Sequence, residues 1–161
     1  MTDRSELERT AQALYQARND NDVDAMMSFV DPDASFHIAG NYRLGPLTHV
    51  VDGAAEIRAR FSDLVEAWDL SGMDYDSMYV DGDTVLVHRT GSVRYIADDS
   101  RFPTEILDKL TFRDGRIVAF TEFVDTLMAA EAIGFVKPSG VWTGDATVST
   151  EPPEEEDRLD A

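Results

Sequence analysis

Two carboxyl side chains interrupt apolar segments in the second half of the sequence. Asp108 lies within residues 102–112 and Glu122 within residues 117–125, among branched and aromatic residues. In an apolar cavity at least one of the two would have a raised pKa, because burial disfavours the charged form. A neutral carboxylic acid can donate a hydrogen bond to a developing enolate, and an ionised one can take a proton. The pair can therefore divide acid and base work.

Arg89 and His37 are two further side chains with chemistry to offer. The cation of Arg89 can balance Glu122, and histidine changes its charge close to neutral pH, as a base must. Both have structural interpretations as well. The alternatives are an Arg89–Glu122 ion pair, a pair of Asp108 with Lys109 or Arg94, and an ordinary strand position for His37.

The turn between the two acidic segments decides which side chains share a face. A three-residue loop at residues 113–115 pairs Asp108 with Phe120 and Ile106 with Glu122. The two carboxyl groups then lie in one apolar strip, as diagonal neighbours about 7–8 Å apart. A two-residue turn shifts the register by one residue and scatters the apolar side chains over both faces. We therefore predict the three-residue loop.

The elements that position these residues begin with three predicted helices. Amphipathic spacing predicts the first over residues 5–18, Asp22 is a good N-cap for a short second one, and the third runs over residues 53–70. A weakly alternating strand at residues 34–39 and a loop at residues 40–53 separate the second helix from the third.

Four strands and a last short helix follow. Turn signals lie at Asp81–Gly82–Asp83, at residues 97–101 and at residues 113–116. The segments between them, rich in strand-forming residues, are 73–80, 84–96, 102–112 and 117–125. Residues 126–133 form the predicted C-terminal helix, and Asp125 stands where an N-cap would. The predicted fold class is α+β.

This order of elements resembles the nuclear transport factor 2-like superfamily, which includes ketosteroid isomerases, SnoaL-like polyketide cyclases and limonene epoxide hydrolases. Three stretches are similar to family motifs: ASFH at 34–37, FRDGRI at 112–117 and FTEFVD at 120–125. The resemblance implies a cone-shaped domain at residues 1–136. In it, three N-terminal helices pack on a curved, mainly antiparallel sheet, a cystatin-like α+β roll that encloses a ligand pocket.

The resemblance also implies roles for three side chains. Asp108 matches the aspartic acid that stabilises the oxyanion in ketosteroid isomerase. Glu122 matches the aspartate that activates water in limonene epoxide hydrolase, and Arg89 matches that hydrolase's active-site arginine. We therefore expect Glu122 to be the base, Asp108 the hydrogen-bond donor and Arg89 the charge partner.

Three positions depart from these families. The general base of the isomerase falls at Ile38, its catalytic tyrosine at Leu14, and the second aspartate of the hydrolase at Gly91. Neither catalytic set is complete, so neither known mechanism is expected in full. His37, beside the lost base position, can replace it if its ring points inward.

The resemblance implies a small-molecule pocket protein, either a cofactor-independent isomerase, cyclase or hydrolase, or a non-catalytic ligand-binding or dimerisation domain. Its expected ligand is small and apolar, and no cofactor is expected. His88 faces away from Arg89 and His49 lies in a loop, so no metal site is expected either. The predicted ligand contacts are Tyr42, near the entrance, and Phe120, Ile106, Val87, Trp68 and Leu14.

The composition restricts partners and location. The net charge of −18 repels phosphate backbones and anionic lipids, so nucleic acid and membrane surfaces are not expected partners. The charged N-terminus and the absence of a long apolar run predict a cytoplasmic protein. Residues 137–161 read as an acidic, largely disordered tail. The resemblance implies a homodimer formed through the sheet.

Overall fold

The computed structural model describes residues 3–137, which fold into four α-helices and six strands. The helices are α1 (Arg4–Asn19), α2 (Val23–Ser28), α3 (Ala54–Ala67) and α4 (Thr126–Ala132). The strands are β1 (Val30–Ile38), β2 (Val51–Asp52), β3 (Trp68–Asp81), β4 (Thr84–Tyr95), β5 (Ser100–Arg113) and β6 (Arg116–Phe123). A 3₁₀ helix at Tyr42–Leu47 occupies part of the predicted loop. The α+β class is confirmed.

The strands form one mixed sheet in the order β2-β1-β6-β5-β4-β3. Only β1 and β6 run parallel, and the other neighbours are antiparallel. Register shifts in β1 and β3 bend the sheet, since a bulge bends the strand that carries it. Gly91 allows β3 and β4 to approach each other closely. Its φ is 147°, and a Cβ atom there would collide with the backbone of Gly72.

The predicted three N-terminal helices lie on the concave face of this sheet. Leu7, Ala11 and Leu14 of α1 are buried, as their helical spacing predicts, and pack in one core with residues of β1, β4, β5 and β6. Phe36, Phe61 and Phe120 pack edge to face at the centre of the core. The ring centroid of Phe36 lies 5.2 Å from that of Phe61 and 5.1 Å from that of Phe120.

The predicted three-residue loop between β5 and β6 is wrong. Asp114 and Gly115 form a two-residue turn with φ values of 52° and 77°, a combination typical of tight hairpins. A register shift follows between Thr111 and Phe112, and Asp108 then pairs directly with Glu122. Because this register differs from the predicted one by two residues, both carboxyl groups keep the predicted common face.

The third helix is shorter than predicted. It ends at Ala67, and Trp68 is already the first residue of β3, with extended backbone angles. The guanidinium of Arg18 donates to the carbonyl oxygens of Leu64 and Trp68, at 3.3 and 2.8 Å. The carbonyl of Leu64 also accepts the backbone N–H of Trp68, so Arg18 ties α1 to the junction where α3 passes into β3.

The last helix begins as predicted. The carboxylate of Asp125 accepts a hydrogen bond from the backbone N–H of Met128 at 3.0 Å, so Asp125 is its N-cap. Of the predicted acidic tail only Lys137 is described, and the rest lies outside the described residues. Among residues 3–137, no helix has the length and apolarity that crossing a bilayer requires.

Candidate functional site

Two cavities lie between the helices and the concave face of the sheet. The outer cavity has a volume of about 60 Å³, and apolar side chains of α3, α4 and four strands form most of its wall. The inner chamber has a volume of about 20 Å³ and a more polar wall. Both volumes exceed the ~10–15 Å³ that one water molecule needs. Arg18, Leu64 and Glu122 line both spaces.

Glu122 is the carboxyl group that reaches both cavities. It lies in β6 between the register partners Ile38 of β1 and Asp108 of β5, and its side chain is 12% exposed. Its Oε1 atom is 3.8 Å from Nη2 of Arg89. Burial raises the pKa of Glu122, while the positive charges of Arg89 and Arg18 oppose that rise. The group is thus positioned to exchange a proton with a ligand.

Asp108 is fully buried and lies outside the walls of both cavities. Its Oδ2 atom accepts a hydrogen bond from the Tyr15 hydroxyl at 2.8 Å and another from Nη2 of Arg89 at 3.2 Å. Burial, and then the charge of Glu122, raise the pKa of Asp108 to about 7. The predicted direct donation from Asp108 to a ligand is wrong for this geometry, because Tyr15 and Arg89 stand between them.

Arg89 is the central cation of the site and is 2% exposed. Its guanidinium carbon lies 4.3 Å from the centre of the Tyr15 ring, a cation–π distance. Burial lowers the pKa of Arg89, but the neighbouring acidic groups, Asp108 above all, outweigh it and the net shift is upward. Its Nε and Nη1 atoms have no hydrogen-bond partner among the described residues. The guanidinium is therefore hydrogen-bonded through Nη2, while Nε and Nη1 are donors without an acceptor in the described part of the chain.

Tyr15 and Arg18 of α1 are site residues that the sequence analysis did not assign. Burial raises the pKa of Tyr15 well above its ordinary value, so its phenol stays neutral and donates to Asp108. Burial lowers the pKa of Arg18 to about 10, which still leaves it charged at neutral pH. The available signal was an arginine four residues after Leu14, on the apolar stripe of an amphipathic helix.

Four of the predicted ligand contacts line the cavities. Leu14 and Phe120 lie in the wall of the inner chamber. Ile106 and Trp68 lie in the wall of the outer cavity. The alternation of β5 and β6 predicted two of these positions, while Trp68 reaches the cavity from a strand rather than from the predicted helix.

Three other predicted site residues lie elsewhere. His37 is on the opposite face of the sheet, because its neighbours Phe36 and Ile38 point inward and strand residues alternate. Tyr42 is 82% exposed and lines a surface depression. Val87 is fully buried in the core, opposite Asp108, and lies on neither cavity wall. His37 is therefore not an inward base.

A second charged group occupies the outer face of the sheet. Nδ1 of His88 is 3.0 Å from Asp76 and Nε2 is 3.0 Å from Glu105, so the ring separates the two carboxylates. His88 faces away from Arg89, as predicted. Within the described part of the chain, no three histidine or acidic residues converge in a way that could hold a metal ion.

A family model described as the SnoaL-like domain matches residues 11–120, more than half of the chain. Among curated proteins, no sequence matches.

Several solved structures are similar to this one. A candidate isomerase from Bacillus subtilis has 20% identity and a TM-score of 0.74, covering 84% of this chain and 98% of that one. An NTF2-like protein of unknown function from Burkholderia pseudomallei has 18% identity and a TM-score of 0.70, with 83% and 98% covered. TerC, crystallised with polyporic acid, has 21% identity and a TM-score of 0.68, with 80% and 98% covered. At these identities the similarity establishes the cone fold alone.

Proposed function

Because the chain belongs to the SnoaL-like domain family, we propose that it is a cofactor-independent enzyme that moves a proton on a small, apolar, carbonyl-containing molecule. One observation carries this proposal: Glu122 lies in the wall shared by an apolar cavity and a chamber that contains two arginines. A base needs contact with the substrate, and the charge that develops needs nearby cations. Both conditions are met at one point of the wall.

The proposed reaction begins with proton transfer to Glu122. The carboxylate takes a proton from the carbon next to the carbonyl group, the electron pair of that C–H bond forms a C=C bond, and the π pair of the C=O bond moves onto the carbonyl oxygen. Arg89 and Arg18 offset the negative charge of the resulting enolate. In an isomerisation, Glu122 returns the proton to another carbon. In a cyclisation, the enolate carbon attacks a second carbonyl of the same molecule, and Glu122 returns the proton to the alkoxide that forms. Neither route needs an oxidant, a reductant or a cofactor.

Asp108 and Tyr15 are positioning residues in this scheme. Their hydrogen bond and the stacking of Arg89 on the Tyr15 ring fix the guanidinium against the sheet. A guanidinium that is held before the reaction stabilises developing charge without having to reorganise. The role assigned to Asp108 by resemblance, oxyanion stabilisation, is thus proposed to act through Arg89.

The cavity volume limits the size of the substrate. The outer cavity, at about 60 Å³, is smaller than the ~150 Å³ cavity that accommodates benzene. A ring can enter only if wall side chains move, and the wall includes the flexible side chain of Met128 in α4 and Leu47, the last residue of the 3₁₀ helix. Binding of polyporic acid to TerC supports the view that this fold can admit a ring compound.

Proton exchange tests this function without knowledge of the natural substrate. Cyclopentanone, cyclohexanone and 2-cyclohexenone are incubated with the protein in D₂O, and loss of the α-proton signals is followed by NMR. We expect catalysed exchange for at least one ketone, and Glu122→Gln should slow it roughly 10²–10⁴-fold. Glu105→Gln on the outer face of β5 is the matched control and should exchange at the parent rate. Equal rates for Glu122→Gln and the parent would remove Glu122 as the base.

A non-catalytic ligand-binding domain is the alternative function, and Ile38 favours it. This residue occupies the position of the isomerase base and presents an apolar side chain to the outer cavity. For a binding protein we expect the ketones to shift protein resonances with no exchange above the background rate. The same NMR samples therefore separate the two functions.

We also propose that the protein forms a homodimer through the outer face of the sheet. Leu107 and Phe123 are directly paired across β5 and β6 on that face, and they are 37% and 46% exposed. Adjacent exposed apolar side chains of this kind are common in protein interfaces. Size-exclusion chromatography with light scattering should give twice the monomer mass for the parent and the monomer mass for Phe123→Asp. A monomeric parent would contradict the dimer.

A further inference from the structure

Arg89, in the wall of the inner chamber, has hydrogen-bond donors for which the described residues offer no acceptor. Nη2 of Arg89 lies near Asp108 and Glu122, whereas Nε and Nη1 have no acceptor among the described residues. Arg89 is nonetheless almost completely buried and forms part of the chamber wall. Buried donors are rarely left without partners, because each one has lost its hydrogen bonds to water. An oxygen acceptor is therefore expected at this place.

The charge balance favours an anionic acceptor. The described charged side chains around the chamber are Arg18 from α1, Arg89 from β4, Asp108 from β5 and Glu122 from β6, with the neutral phenol of Tyr15 beside them. With both carboxyl groups ionised the four charges cancel. When Asp108 holds a proton, one positive charge remains without a counterion in a buried place.

The outer cavity can take the apolar part of a ligand whose anionic group lies in the inner chamber. The outer cavity and the inner chamber are adjacent, and the side chains of Arg18, Leu64 and Glu122 form the wall between them. Beyond that boundary the outer wall is almost wholly apolar. A molecule with one charged end and one apolar end fits this sequence of environments.

We propose that the inner chamber is a subsite for the oxygen-bearing head group of an apolar acid, a carboxylate or an acidic enol, which accepts a hydrogen bond from Nε or Nη1 of Arg89. The apolar body of that acid lies in the outer cavity. This inference rests on the proposed function and narrows its substrate class, because an enolised carbonyl presents the same negatively charged oxygen to Arg89.

Hexanoate and hexanamide test the subsite, since they share an apolar body and differ in the charge of the head group. Titrations of the full chain by calorimetry at pH 6 should show hexanoate binding roughly ten-fold tighter than hexanamide. At pH 8 this preference should shrink, because Asp108 is then ionised and already balances Arg89. Equal affinity for the two molecules at pH 6 would overturn the subsite and leave the orphaned donors to a buried water.

Variants assign the preference to Arg89. The double variant Arg89→Gln/Asp108→Asn removes a cation together with its bonded carboxyl group, so no buried charge is stranded, and it should bind hexanoate and hexanamide equally well. Ile106→Ala should weaken both ligands by the same factor. Arg94→Gln, on the same strand but partly exposed, should bind as the parent does. An undiminished preference in the double variant would also overturn the proposal.

The outcomes distinguish this inference from the function on which it rests. Ketone exchange that depends on Glu122, together with equal binding of the two probes, overturns only the acid subsite. A parent protein that binds neither probe and exchanges no ketone overturns both.

Discussion

His88 and Arg89 are neighbours in β4, yet they belong to two very different charged groups. Arg89 points to the concave face, where it is 2% exposed and contacts two buried carboxyl groups. His88 points to the outer face, where the side chains of Asp76 and Glu105 are 55% and 74% exposed. The shortest ion-pair contact is 3.2 Å in the inner group and 3.0 Å in the outer group. The groups differ in their access to water.

That difference decides what each group can do. Water screens charges at the surface, so an exposed ion pair contributes little to stability. The same pair in the interior interacts strongly, and removal of one partner is costly because the other charge stays buried. The inner group therefore shifts pKa values and can stabilise a reacting charge. The outer group is a surface ion cluster whose electrostatic attraction salt screens.

The largest contrast is expected from removal of the inner cation. Arg89→Met leaves the buried carboxylate of Asp108 without its ion-pair partner and leaves only Arg18 to balance Glu122, so it should lower the free energy of unfolding by about 3–5 kcal/mol at pH 8. At pH 5 the loss should be smaller, because protonated carboxyl groups need no counterion. Urea denaturation at both pH values measures it. Arg94→Met, which breaks partly exposed ion pairs with Asp69 and Asp99, is the comparison variant and should cost at most about 1 kcal/mol; a similar loss in both variants would erase the contrast.

The next effect is the pH dependence that Asp108 imposes. Its pKa rises from 3.8 to about 7 on folding, so between these values the native state binds more protons than the unfolded state. Stability therefore falls as pH rises from about 4 to about 7 and then levels off. The contribution is at most about 4 kcal/mol.

The variant Asp108→Asn should lack this pH dependence of stability. Its stability relative to the parent should therefore rise between pH 4 and pH 8. Thermal unfolding of both proteins across that range measures the difference between them. Subtracting the two curves cancels the effect of the many surface carboxylates. A constant difference would show that Asp108 titrates alike in the folded and unfolded states.

The smallest effect is expected on the outer face. Hydrogen bonds to Glu105 and Asp76 raise the pKa of His88, so the stability it contributes is present below its unfolded pKa of about 6.5 and is lost as pH rises through the higher folded pKa. His88→Gln should remove this small dependence. In 1 M salt the parent should lose it too, whereas the Asp108 slope should persist. Salt resistance of the His88 effect would contradict the proposed screening.

The sequence predicted the part of the site that depends on strand alternation. Ile106, Asp108 and Leu110 alternate with exposed residues, so their common face follows from a period of two, whatever the exact register. The same rule places Phe120 and Glu122 together on β6. The error in the turn left these faces intact because the predicted register was shifted by two residues.

Other parts of the site depend on contacts that no local pattern encodes. The bonds from Tyr15 to Asp108 and from Arg18 to Trp68 join residues 93 and 50 positions apart. His37 was expected beside an inward base position, but its direction is set by the pairing of β1 with β6, which buries Phe36 and Ile38 instead. Side chains on distant elements meet only once the helices are packed.

The sequence by itself determined most of the helices and strands, though not β2 or the 3₁₀ helix, together with the resemblance to a family and the common face of Asp108 and Glu122. These features depend on spacing along one or two neighbouring segments. The tertiary structure alone decided which carboxyl group touches a cavity. α1 packs on the sheet so that the Tyr15 ring contacts Arg89 and the Tyr15 hydroxyl donates to Asp108. Asp108 is thereby buried behind Tyr15 and Arg89, while Glu122 remains in the cavity wall. Access to the ligand is a property of that packing.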